Sequence, residues 1–217
     1  ARKFDGGHRI ITGPSGSGKT LVLVHRAALL QQYNPAVKRI LFVCYNITLV
    51  NFIKRLLSEK QVPLGENGIE VVHFFELCAK ILGESVIWEK EEPAYYDLVI
   101  EETLKKVNDY TEKYDAVLVD EGQDFSDDMY SIVVSLLNPA TNHLAIALDD
   151  NQNIYRRKQT WKDLGIQVRG RVHRLSWVYR NTSAIADFAR KFLNEKEEKP
   201  EHRPPQMELF QNFLSPA

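Results

Sequence analysis

The chain has 217 residues, 44% of them hydrophobic and 26% charged, a balance that suits a globular domain and excludes a disordered or fibrous chain. Its 28 Lys and Arg against 29 Asp and Glu leave a net charge of −1, which excludes a globally basic nucleic-acid binder but not a local basic groove. No run reaches the roughly 18 apolar residues of a membrane-spanning helix. The cysteines, Cys44 and Cys78, sit in apolar runs without metal-ligand spacing and read as buried thiols of a reducing, cytoplasmic compartment.

Residues 8–12 form a short apolar strand that enters a glycine-rich turn, and 21–32 follow with helical spacing. Residues 39–45 (RILFVCY) read as a strand buried on both faces. Residues 46–60 read as an amphipathic helix with Asn46 available as its cap. A strand over 69–74, a short helix over 75–82 and a charged helical stretch over 93–114 come next. Residues 115–121 and 143–150 are two more buried strands, with a helix over 127–137 between them. A strand over 171–177 and a helix over 182–194 close the pattern, before a charged, proline-rich stretch from Glu195 and a weak strand signal at 206–214. Alternating strands and helices with doubly buried strands predict an α/β fold with a mostly parallel sheet flanked by helices.

Gly13-Pro14-Ser15-Gly16-Ser17-Gly18-Lys19-Thr20 fits G-x-x-x-x-G-K-[ST] at every position, between an apolar strand and a helix. Backbone N–H groups of such a loop converge on a phosphate, and the helix adds the positive end of its dipole. Lys19 would reach the β- and γ-phosphates, and the Thr20 hydroxyl would ligate Mg²⁺. A second metal group is expected at the end of a neighbouring strand, where Val117-Leu118-Val119 leads into Asp120 and Glu121. Asp120 would hold Mg²⁺, and Glu121 would orient and deprotonate water.

Val119-Asp120-Glu121-Gly122-Gln123-Asp124-Phe125 resembles the DEXQD box of UvrD/Rep-like superfamily 1 helicases. Residues 147–156 (ALDDNQNIYR) are similar to their third motif, and residues 175–182 (LSWVYRNT) to their fourth. The matches run in order over residues 8–195 and imply a RecA-like P-loop NTPase that binds ATP with Mg²⁺ and moves on single-stranded DNA, RNA being left open. The resemblance implies that Gln152 senses the γ-phosphate, Arg180 is an arginine finger, Tyr179 stacks on adenine and Arg26 belongs to the nucleotide site. Gln123 and Asp124 would relay between nucleotide and strand, or cap the next helix. Tyr45, Phe74, Arg156 and Arg157 would contact the nucleic acid, with core packing or a solvated surface as the alternative for each. Trp161 stands near enough in sequence to take over a stacking role.

The expected organisation is a first motor domain over 1–170, with 84–114 as a reduced accessory insertion, and the start of a second domain over 171–217. The first residue is Ala1, and no candidate for a second arginine finger follows, so the chain reads as a piece of a longer protein whose second motor domain is its partner. The strand over 171–177 would join the first sheet, pair with a second copy in a self-associating fragment, or be disordered. A nucleotide switch that does not translocate, and a strand-binding module without turnover, are the alternative functions.

Overall fold

The computed structural model describes residues 6–85, 93–149 and 158–177. The chain alternates β1 (Gly7–Gly13), α1 (Lys19–Tyr33), β2 (Ile40–Cys44), α2 (Ile47–Glu59), β3 (Ile69–His73), α3 (Phe74–Leu82), α4 (Pro93–Lys106) and β4 (Ala116–Asp120). A 3₁₀ turn (Gly122–Asp124), α5 (Asp127–Ser135), β5 (His143–Asp149), α6 (Lys158–Asp163) and β6 (Val172–Arg174) follow. The strands form one six-stranded sheet in the order β3-β2-β4-β5-β1-β6, and every pairing is parallel.

Alternation along each strand divides the core in two. Leu41, Val43, Val117, Val119, Leu144 and Ile146 face α3, α4 and α5 on one side. Ile40, Phe42, Ala116, Leu118, Ala145 and Ala147 face α1 and α2 on the other. Strands buried on both faces are why β2 and β4 read as unbroken apolar runs. Asn46 caps α2 as expected, its Oδ1 accepting the Thr48 N–H at 2.9 Å. Both cysteines are buried and free.

Two differences from the sequence reading concern the ends of the pattern. The charged stretch over 93–114 is helical only to Lys106, and the following loop returns Tyr114 to the core at 1% exposure. Its helix packs through Val99 and Thr103 onto the α3/α5 layer. The last strand is short, and it does not stand alone: Val172–Arg174 pairs with Ile10–Thr12 of β1, the first of the outcomes left open above. The predicted helix over 182–194 and the weak strand at 206–214 lie outside the described residues.

Because all pairings are parallel, the C-terminal ends of β1, β2, β4 and β5 share one edge of the sheet. Register places Cys44 beside Asp120 and Gly13 beside Asp149. In open sheets of this kind the ligand site lies along that edge.

Candidate nucleotide site

The loop after β1 runs directly into α1 through Gly18, which caps the helix at φ 90° with no side-chain bond to the first N–H groups. An L side chain is disfavoured at that angle, and the missing side-chain cap leaves the amides free to meet an anion. Lys19 is buried, and its Nζ donates to the carbonyls of Gly13 at 2.7 Å and Pro14 at 3.1 Å, which folds the amine over the loop. Ser17 is 3% exposed, and its Oγ has no hydrogen-bond partner among the described residues.

Asp120 closes β4 with no exposed surface. Its Oδ1 accepts the Glu121 N–H at 3.1 Å, and the Thr20 side chain lies near enough to favour the charged carboxylate. Its Oδ2 has no partner among the described residues. Burial pushes the carboxyl up to about 6, opposed by the nearby Thr20 side chain, and the Glu121 charge adds to the rise. A buried carboxylate with a free oxygen beside the hydroxyl of the phosphate loop fits a divalent cation, which would restore the charged form.

Glu121 follows in the left-handed region, at φ 50° and ψ 44°. Gln123 Nε2 donates to Glu121 Oε2 at 2.6 Å, while Gln123 Oε1 accepts the Asp149 N–H at 3.2 Å. One amide therefore holds the Glu121 carboxylate and ties it to the end of β5. Gln123 does not cap the next helix, and neither does Asp124, because Ser126 Oγ takes that place by accepting the Met129 N–H.

The other predicted site residues divide sharply. Tyr45 stands at the same sheet edge, 41% exposed, with its ring 5.8 Å from His73 and 6.1 Å from Phe75. Phe74 is not a surface contact: it has no exposure and packs edge-on against Phe75 and Phe125. The reason is that it opens α3 on the inner face of the sheet, where a base cannot reach it. Trp161 is likewise core, 2% exposed and edge-on to Tyr130, so it offers no stacking platform. Arg26 does not reach the phosphate loop. It lies seven residues after Lys19, about 10 Å down the helix, and its charge is felt by Arg9 and by His143 at the N-terminal end of β5. Burial and the Arg9 charge lower its pKa to about 10. Gln152, Arg156, Arg157, Tyr179 and Arg180 lie outside the described residues.

Sequence reasoning missed Tyr130. Its hydroxyl donates to the Gly122 carbonyl at 2.6 Å, directly after Glu121. Helical spacing marks it only as a core aromatic, so no local signal singles it out.

A family model described as an AAA domain matches residues 2–158. The chain belongs to the AAA domain family. The match covers the phosphate loop and the acidic pair that ends β4. Among solved structures the chain is similar to the large terminase from a thermophilic bacteriophage, at 10% identity over 91% of this chain and 48% of that one, with a TM-score of 0.53. It is also similar to the Pif1 helicase from Candida albicans, at 14% identity over 84% of this chain and 39% of that one, TM-score 0.47. The UvsW helicase from bacteriophage T4 is similar at 13% identity over 78% of this chain and 54% of that one, TM-score 0.44. At these identities the terminase likeness speaks for the fold alone, a RecA-like P-loop NTPase fold. The chain spans between 39% and 54% of the length of these structures. The search of curated proteins found no match.

Proposed function

We propose that this chain carries the first motor domain of a UvrD/Rep-like superfamily 1 DNA helicase or translocase, which couples Mg-ATP hydrolysis to movement along single-stranded DNA. In this reading residues 1–170 are the first domain and 171–217 lead into the second. The observation that carries it is the arrangement at one sheet edge: buried Asp120 ends β4 with a free carboxylate oxygen near Thr20 of the phosphate loop, and Glu121 is tied through Gln123 to the end of β5. A module that only binds nucleotide has no use for a carboxylate held in that way.

The loop amides and Lys19 bind the phosphates, Lys19 exchanging loop carbonyls for phosphate oxygens. Thr20 and Asp120 would hold Mg²⁺, which neutralises charge on the phosphate oxygens when bound. No group of three His, Cys, Asp or Glu side chains forms a metal cage among the described residues. The remaining ligands would therefore be phosphate and water. Glu121 orients and deprotonates the attacking water, and Gln123 carries its state toward the segment after β5, which holds Gln152. Tyr45 offers a ring at the same edge for a base of the strand. Arg180 would complete the charge at the transition state from the second domain.

The test is steady-state Mg-ATP hydrolysis with and without single-stranded DNA, with Lys19→Ala as the blank. Strand-stimulated turnover supports the motor. Turnover that ignores the strand favours a nucleotide switch, and absence of nucleotide binding overturns the reading.

A further inference from the structure

Glu121 is a non-glycine residue in the left-handed region, a conformation that persists only where its surroundings enforce it. The residue after it has no room for a side chain. A Cβ on Gly122 would lie 2.5 Å from Tyr130 Oη and 2.8 Å from Ile146 Cγ2. Tyr130 reaches this turn from α5 with no exposed surface, and its hydroxyl donates to the Gly122 carbonyl at 2.6 Å. The ring is fixed independently of that bond, by Phe125 at 5.6 Å and by Trp161 edge-on at 5.0 Å. Gln123 restrains the far end of the same short segment by holding the Glu121 carboxylate.

We propose that Tyr130 is a positioning residue for Glu121: its buried hydroxyl, held by a clamped ring, fixes the Gly122 carbonyl and so locks the left-handed turn that aims the carboxylate. The inference rests on the hydrolysis reading above and deepens it. Tyr130 touches neither substrate nor metal in this scheme. It acts only through the backbone between itself and the carboxylate. The Gly122 carbonyl accepts the Tyr130 hydroxyl at 2.6 Å and the Phe125 N–H at 3.2 Å, so losing the hydroxyl removes the shorter bond, the one that ties the turn to α5.

Tyr130→Phe removes the hydroxyl and leaves the ring stack in place. In the full chain with single-stranded DNA, kcat should fall about ten-fold, the order expected for one buried hydrogen bond, with KM for Mg-ATP unchanged. An unchanged kcat, or a loss seen only in KM, overturns the proposal. A second measurement does not depend on turnover: a double-mutant cycle of Tyr130→Phe with Glu121→Gly in denaturant unfolding. Glycine adopts the left-handed turn without strain, so the hydroxyl should matter less, with a coupling of roughly three-fold or more in the unfolding constant. Additive effects overturn the proposal. If the wild-type chain binds Mg-ATP but shows no turnover, the hydrolysis reading fails on that result while the cycle still decides the role of Tyr130.

Discussion

Replacing Asp120 by Asn should make the ligand-free chain more stable, because the site is assembled at the expense of the fold. The carboxyl has no exposed surface and one oxygen without a partner. Burial raises its pKa from 3.8 to about 6. A rise of about two units corresponds to about 3 kcal/mol where the group is ionised in both states. The sign follows from the fold holding the proton more tightly than the unfolded chain does. The penalty is therefore complete above about pH 6, fades as the pH falls from 6 toward 3.8, and is gone below that. Asparagine keeps the shape and the Oδ1 bond to the Glu121 N–H, but its new amide must find the Thr20 hydroxyl, which reduces the expected gain to about 1–2 kcal/mol. Urea unfolding without nucleotide or metal, at about pH 8 and about pH 4, measures it. The variant should have the higher midpoint at the upper pH and lose most of that advantage at the lower one. It should also gain less stability from Mg-ATP than the wild type. An equal or lower midpoint at the upper pH would refute the reasoning that buried, uncompensated charge marks this site.

Glu121→Gln should bind Mg-ATP as the wild type does and hydrolyse it at least about 100-fold more slowly, read from nucleotide titration and single-turnover kinetics. The two aromatic candidates should separate by experiment. Phe74→Ala should cost about 3–5 kcal/mol of stability as a core cavity, whereas Tyr45→Ala should stay within about 0.5 kcal/mol and weaken single-strand binding about ten-fold. In the Asp120→Asn background, where the opposing carboxyl titration is gone, acid titration of unfolding should show stability falling from pH 6.5 toward about 4, because burial, with Arg26 and Arg9 nearby, lowers the His143 pKa to about 4 and keeps the ring neutral in the fold. A His143→Gln variant should flatten that part of the curve, and an unchanged slope would place the proton uptake elsewhere.

Much of this was legible along the chain because it rests on local rules. The period of apolar residues marked each described strand of the parallel sheet, and the glycine spacing from Gly13 to Thr20 marked the phosphate loop. The acidic pair was visible because Asp120 and Glu121 end an unbroken apolar strand. Short-range chemistry was equally readable, as with the Asn46 cap.

Other features depended on contacts between residues far apart in sequence. The adjacent aromatics Phe74 and Phe75 look interchangeable with Tyr45 until packing buries the first two at no more than 4% exposure and leaves Tyr45 at 41%. Arg26 shares a helix with Lys19, yet the axis of α1 carries it away from the loop to the opposite end of the sheet. Gln123 finds Asp149 across 26 positions of chain, and Tyr130 finds Gly122 because α5 folds back over the turn. The sequence by itself therefore determined which elements form and where the glycine-rich loop and the acidic pair lie, since both follow from neighbours along the chain. Only the tertiary structure decided which aromatic faces solvent and what holds Glu121 in place, because those outcomes depend on strand register and on which side chain fills the space above a turn.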